Sequence, residues 1–147
     1  MDGCRYGHGK EFRGDGTLVY DGEWKDGNGK EYHMNGVLEY EGGWKDGKCH
    51  GSGKEYDESR GLAYDGEFKY GERHGSGKQY DSEGLGYDGE WKDGKLHGNG
   101  KEYYIDGITL LYDGEFKDGE RCGGGKEFRD GGTLKYEGGW KNCWRHG

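Results

Sequence analysis

The chain writes one seven-position pattern six times, Leu-x-Tyr-x-Gly-x-(Trp/Phe), each copy followed by Lys. The copies begin at Leu18, Leu38, Leu62, Leu85, Leu110 and Leu134, so successive starts lie 20, 24, 23, 25 and 24 residues apart. Self-similarity at such a period marks a stacked array of small units rather than one globular core. Function is therefore expected on a surface that repeats, not in a single pocket.

Side chains alternate within each cassette, and a period of two is the signature of a strand. One face carries Leu, Tyr, Gly and the ring. The other carries an acid after every Tyr (Asp21, Glu41, Asp65, Asp88, Asp113, Glu137) and then the Lys (Lys25, Lys45, Lys69, Lys92, Lys117, Lys141). A turn signal such as Asp46-Gly47 or Asp93-Gly94 follows, leading to a return segment, Gly-x-Gly-Lys-(Glu/Gln)-(Tyr/Phe) in most copies. This reads as a hairpin. Tyr and Trp lying over the glycines of a neighbouring strand would restore the packing that glycine removes. No helix is written, and with no Pro nothing blocks a strand from the ladder. The sequence predicts an all-β fold, an elongated, twisted, single-layer antiparallel sheet of tandem hairpins with about 12 strands.

Composition alone would argue for disorder, with 36 Gly among 147 residues, 35% charged and 28% apolar. Periodic placement overrides it, because the 13 Tyr, 5 Trp and 4 Phe supply large burial at fixed intervals. A formal net charge of −8 opposes a phosphate backbone, so nucleic acid is not an expected partner. No apolar run is long enough to span a bilayer, and the first residues lack the basic and apolar parts of a signal peptide. Cys4, Cys49, Cys122 and Cys143 show no Cys-x-x-Cys spacing. Cys49 and Cys122 fall three units apart, roughly 30 Å at strand spacing and far beyond disulfide reach. Reduced thiols in the cytoplasm or another reducing intracellular compartment are expected.

Residues Tyr40-Glu41-Gly42-Gly43-Trp44-Lys45-Asp46-Gly47-Lys48-Cys49-His50-Gly51-Ser52-Gly53 resemble the membrane occupation and recognition nexus (MORN) repeat, Tyr-x-Gly-x-(Trp/Phe)-x-x-Gly-x-x-His-Gly-x-Gly. The segments from Tyr64 and Tyr87 match at every patterned position, and the one from Tyr112 departs only at Cys122, where His is expected. The copy at Tyr20 is about four residues short, running from Asp26-Gly27-Asn28-Gly29 straight into Lys30. The repeats are read as one array over 1–147: a partial repeat at 1–19, the shortened one at 20–39, full repeats at 40–63, 64–86, 87–111 and 112–135, and a partial one at 136–147. The resemblance implies an elongated sheet of hairpins and non-catalytic work: scaffolding, cytoskeletal or organelle assembly, capture of a partner in a groove and, for some members, contact with phospholipid, and with it a place at the cytoskeleton or a membrane surface. Some relatives join such repeats to a catalytic domain, so an accessory region of a larger enzyme is an alternative.

The other chemical readings are weak. Equivalent histidines (His50, His74, His97, His146) would stand about 10 Å apart, too far to share a zinc ion, so a role in the turn is expected and no metal or cofactor. His50-Gly51-Ser52-Gly53-Lys54 lacks the spacing and the helix of a phosphate loop. Cys49 and His50, adjacent on a strand, point to opposite faces and cannot act as nucleophile and base. The acids are expected to face the Lys of neighbouring strands. No catalytic residue is identified.

The expected function is a scaffold that binds an extended or helical segment of a protein partner along an aromatic, glycine-rich groove. Tyr20, Trp24, Tyr40, Trp44, Tyr64, Phe68, Tyr87, Trp91, Tyr112, Phe116, Tyr136 and Trp140 would line it, a single layer leaving its aromatic face half open. The competing reading gives these rings to holding the sheet. The Lys columns motivate a second function, peripheral binding to anionic phospholipid. Residues 24–32 are expected to form a tight hairpin. Gly7–Phe12 reads as a return strand without a cassette and Leu134–Lys141 as a cassette without its return strand, which suggests either head-to-tail self-association through these edges or a longer array continuing beyond Gly147.

Overall fold

The computed structural model describes residues 7–23, 26–59, 61–142 and 144–146. The chain is all-β, without a helix among these residues. It divides into two compact units between Glu72 and Arg73.

In the first unit, β1 (His8–Phe12), β2 (Leu18–Glu23), β3 (Gly27–Tyr32), β4 (Leu38–Lys45), β5 (Lys48–Tyr56) and β6 (Leu62–Lys69) pair antiparallel in chain order. The second repeats the plan with β7 (Glu72–Asp81), β8 (Gly84–Lys92), β9 (Lys95–Tyr103), β10 (Leu110–Lys117), β11 (Glu120–Phe128), β12 (Leu134–Lys141) and β13 (Trp144–His146). The strands described number thirteen, one beyond the expected dozen. The extra one corrects the expectation for the last cassette: β13 pairs with Gly139, Trp140 and Lys141, so this part of the β12 edge is covered. The shortened repeat keeps its strands paired, Tyr20 opposite Glu31 and Gly22 opposite Gly29. Trp24 and Lys25, in its turn, lie outside the described residues.

Glycines face glycines across the ladder, in the first unit from Gly22↔Gly29 to Gly53↔Gly66 and in the second from Gly77↔Gly89 to Gly125↔Gly138. The row leaves a trough, and the cassette tyrosine lies down in it. A Cβ on Gly53, Gly100 or Gly125 would fall within the phenol of Tyr40, Tyr87 or Tyr112. Each phenol then donates to the carbonyl three residues on, as in Tyr40 to Gly43 at 2.8 Å, Tyr64 to Glu67 at 2.9 Å, Tyr87 to Glu90 at 2.9 Å and Tyr136 to Gly139 at 3.0 Å. These carbonyls are available because the ladder breaks register beside them, between Gly42 and Trp44, Gly89 and Trp91, and Gly114 and Glu115. A bulge leaves one residue without its ladder partner. On the return strand the glycine at the His-Gly position absorbs it: Gly98, after His97, and Gly123, after Cys122, sit at φ +64 and +58, where a side chain is strained.

At the hairpin tips Asp46-Gly47, Tyr70-Gly71, Asp93-Gly94 and Asp118-Gly119 have positive φ at both positions, the type I′ geometry that matches strand twist. The last three of these tips are each tied to the return strand before them, Gly119 through the Leu96 carbonyl at 2.9 Å. The Gly94 amide donates to the Arg73 carbonyl at 2.9 Å, and the Asp93 amide to His74 Nδ1 at 3.4 Å. Gly71 and Tyr70 repeat this on the Cys49 carbonyl and His50 Nδ1 at 2.8 and 3.2 Å. His50 and His74 are thus acceptors for the neighbouring turn, the structural role expected of them, whereas the buried His97 Nδ1 makes no such bond. At the opposite ends, Asp57 and Asp106 accept amide hydrogen bonds inside their own loops, and bonds from Gly61 and from Thr109 respectively hold these carboxyls below the usual range.

Candidate functional site

Cross-strand neighbours share a face, so the register defines what lies beside each ring. Every cassette tyrosine faces the residue after the return-strand Lys: Tyr20 lies between Glu11 and Glu31, Tyr40 between Glu31 and Glu55, Tyr87 between Gln79 and Glu102, Tyr112 between Glu102 and Glu127. Within each unit a column of carboxylates therefore runs through the aromatic face, Glu11, Glu31 and Glu55 in the first and, after Gln79, Glu102 and Glu127 in the second. It was legible in the Gly-Lys-Glu-Tyr motif, but only the register reveals that it shares the face of the rings.

The rings pack edge to face in an unbroken zigzag within each unit. Tyr20, Trp44, Tyr40, Phe68 and Tyr64 follow one another at centroid separations of 5.1–5.3 Å. Trp91, Tyr87, Phe116, Tyr112, Trp140 and Tyr136 do so at 5.1–5.4 Å. Edge-to-face pairs gain about 0.5–1.5 kcal/mol beyond area burial. Tyr40, Tyr64, Phe68, Tyr87, Trp91, Tyr112, Phe116 and Trp140 are no more than 6% exposed, so for these eight the expectation of a half-open face is not met. Glycine lets each phenol lie flat, and the next ring covers it. Tyr20, Trp44 and Tyr136 are half-buried, and Trp24 lies outside the described residues. Burial pushes the Tyr40 and Tyr87 phenols far up and Tyr112 to about 12, so all three stay neutral donors.

Arginine, absent from the expected site, closes the rings in the second unit. The Arg121 guanidinium stands 4.5 Å from the Tyr112 centroid and 5.2 Å from that of Trp140. Its Nε donates to Glu102 at 2.6 Å, and Glu127 flanks it at 3.9 Å. Arg145 lies over Tyr136 at 5.0 Å and donates to Glu127 from Nε and from a terminal nitrogen, at 3.1 and 2.5 Å. Burial alone would raise the Glu127 carboxyl; hydrogen bonds and charge from Arg145, with Lys135, hold it below the usual range. Arg73 lies over Trp91 at 5.3 Å.

In the first unit the same column holds Cys49, whose thiol burial and the charge of Glu31 push up to about 12. Cys49 and Cys122 are both free thiols, half-buried, and Cys122 is also raised by burial. A cleft of about 200 Å³ opens in this unit, lined by Glu11, Val19, Tyr20, Glu23, Glu31, Trp44 and Gly47. Burial and the neighbouring Glu39 charge raise the Glu31 carboxyl, partly opposed by Arg13 and His33.

On the other face the acid after each tyrosine lies between return-strand lysines: Asp21 between Lys10 and Lys30, Asp88 between Lys78 and Lys101, Asp113 between Lys101 and Lys126. Contacts form at 3.4 Å for Lys10–Asp21, 3.6 Å for Lys30–Glu41 and 3.5 Å for Lys126–Glu137. The cross-strand ion pairs expected of these acids are present, and exposed pairs of this kind are worth about 0.2–1 kcal/mol each. Among the described residues no three His, Cys, Asp or Glu side chains gather as a metal site would require.

A family model described as MORN repeat matches residues 20–39, 40–61, 64–85, 87–109 and 112–133, well over half of the chain. Comparison with curated proteins finds no match. Repeats of this kind act as scaffolding, interaction or membrane-binding modules.

Proposed function

Because this chain belongs to the MORN repeat family, we propose that it is a non-catalytic scaffold whose aromatic, glycine-rich face receives an extended or helical segment of a protein partner. The observation that carries this reading is the spacing of like groups. Carboxylates recur beside a rigid floor of rings from one return strand to the next, Gln79 excepted, and in the second unit guanidinium groups join them, rather than all converging on a reactive point. Hairpins advance about 10 Å along the sheet, a step that an extended chain covers in about three residues. The partner meets half-buried Tyr20, Trp44 and Tyr136 directly and the buried rings by way of the Glu and Arg columns above them. Tyr, Trp and Arg are the residues that most often dominate interface energies. Free thiols suit a reducing compartment such as the cytoplasm.

Photo-crosslinkers at Glu55 and Glu102, on the aromatic face, are expected to trap the partner, and the same probe at Lys54 and Lys101 is not. Equal trapping from both faces would reject the groove. The second reading, binding to anionic phospholipid, draws on the hairpin tips, where Lys45 faces Lys48 and Lys92 faces Lys95. It requires sedimentation with phosphatidylserine vesicles that declines steeply between low and physiological salt.

A further inference from the structure

Three Asn-Gly pairs occur in the chain, Asn28-Gly29, Asn35-Gly36 and Asn99-Gly100. A glycine after asparagine leaves its main-chain nitrogen unshielded, the condition under which that nitrogen can attack the side-chain amide carbon. The fold treats the three pairs differently. Asn28 and Asn99 lie inside β3 and β9, strands paired on both sides, and a Cβ on Gly29 or Gly100 would fall within the phenol of Tyr20 or Tyr87. The Asn99 amide is further held by Glu90 Oε2 at 2.5 Å. Asn35-Gly36 is exposed in the loop between β3 and β4, and a Cβ on Gly36 would meet nothing within 4 Å.

The loop also prepares the reaction. Asn35 Oδ1 accepts from the Val37 amide at 2.9 Å, which folds the side chain back across the Gly36 residue. The same N–H lies where charge grows on Oδ1 when Cγ is attacked, as an oxyanion donor does. Nδ2 donates to the Glu58 carbonyl at 3.2 Å, so the amide is held with its oxygen toward Val37 and its nitrogen away. One restraint opposes attack, the bond from the Gly36 amide to the His33 carbonyl at 2.9 Å, a turn bond in an exposed loop.

We infer that Asn35 is a site of spontaneous deamidation, which converts a side chain that joins two loops into one that cannot. The Gly36 nitrogen, having lost its proton to solvent base, forms a bond to Asn35 Cγ; the Cγ–Nδ2 bond breaks, and Nδ2 takes a proton from water and leaves as ammonia. Water then opens the cyclic imide at Cγ, giving aspartate, or at the main-chain carbonyl, giving an isoaspartyl linkage. Aspartate suits the loop itself. Asp15 and Asp106 stand at the same turn position and accept from the amides of Thr17 and Ile108 at 2.8 and 2.9 Å. An aspartate has no hydrogen for the Glu58 carbonyl, however. The product keeps its turn and loses a bond between the loops at 33–37 and 57–61, a junction that His33 Nε2 also makes on the Tyr56 carbonyl at 2.9 Å.

The test incubates the full chain in mildly alkaline buffer, folded and in urea, and follows each Asn-Gly pair by peptide mapping, which reads the mass change of NH exchanged for O. In the folded chain Asn35 is expected to convert at least about tenfold faster than Asn28 and Asn99, which react only when a strand paired on both sides opens. In urea the three should convert alike, and Asn35→Gln should suppress the reaction at this position in either state. Nitrogen-15 spectra of the aged chain should show the Glu58 and Ser59 amides moved as they are in Asn35→Asp. Equal rates for the three pairs in the folded chain, or a folded Asn35 that survives while the urea sample converts, would overturn the assignment. Glu58 and Ser59 amides that keep their shifts after conversion would overturn the loss of the junction.

Discussion

At the scale of the residue, glycine and tyrosine form one device. The glycine row has no role of its own until a phenol lies in it, and the phenol would have no place if the glycine carried a Cβ. Gly100→Ala is therefore expected to destabilise the second unit by about 3 kcal/mol, the upper end for overpacking. Gly124→Ala should change stability by no more than about 0.5 kcal/mol, because a Cβ there meets nothing within 4 Å and its φ is ordinary. Urea unfolding followed by circular dichroism separates the two, and equal effects would refute the device. The thiols obey a similar logic of burial. With its pKa pushed up to about 12, Cys49 has almost no thiolate at pH 8, so a disulfide reagent should modify it on the order of a hundredfold more slowly in the native protein than in urea. Rapid native labelling of Cys49 would contradict this placement of the side chain.

At the scale of the element, the hairpin was legible in the sequence while its chemistry was only half so. Alternation fixed the strands and Asp-Gly marked the type I′ tips, although Tyr70-Gly71 takes the same turn with a bulky residue at φ +47. Its amide bond to His50 Nδ1 and the ring contact at 4.8 Å accompany that conformation. The bulges and the Glu and Arg columns were hidden because period two assigns a face only within one strand, whereas register across strands decides which residues become neighbours. Glu127 and Glu31 occupy equivalent column positions and answer to pH with opposite signs. Glu127 is depressed in the folded state, so its stabilisation is present above the ordinary carboxyl value and is lost as pH falls through the folded one. Glu31 is raised, so its contribution favours folding below the ordinary value and disappears as pH rises through the folded one. At pH 7, Glu127→Gln should then lower stability by about 1–2 kcal/mol, as loss of a charged hydrogen bond does. Glu31→Gln should leave stability unchanged or raise it by up to about 1 kcal/mol, like the removal of one of two facing like charges. Both differences should shrink when unfolding is measured at acid pH, and a loss of stability from Glu31→Gln at pH 7 would mean that its charge is compensated after all.

At the scale of the whole molecule, stability within each unit is the sum of contacts between each hairpin and its neighbours, because ring ladder, glycine row and charge row propagate there by one step per strand. This explains why a chain with 28% apolar residues folds without a shared centre. It also determines which excisions the fold can absorb. Removing residues 87–111 joins Gly86 to Tyr112 and brings the β10 cassette to the place of the β8 cassette, with Gly77 and Gln79 meeting Gly114 and Tyr112 as they met Gly89 and Tyr87. Strand direction, side-chain face and the tyrosine trough all survive. Removing only β9 and its loop, residues 93–109, leaves two cassette strands joined end to end, and the next strand would have to pair in the wrong direction with its rings facing away. The first variant is expected to keep the β spectrum and a cooperative transition with a lower midpoint; the second, of greater length, is expected to lose both. Urea unfolding and size-exclusion chromatography of the two proteins decide it, and a folded shorter cut or an unfolded full-repeat cut would show that contacts beyond nearest neighbours hold the array together.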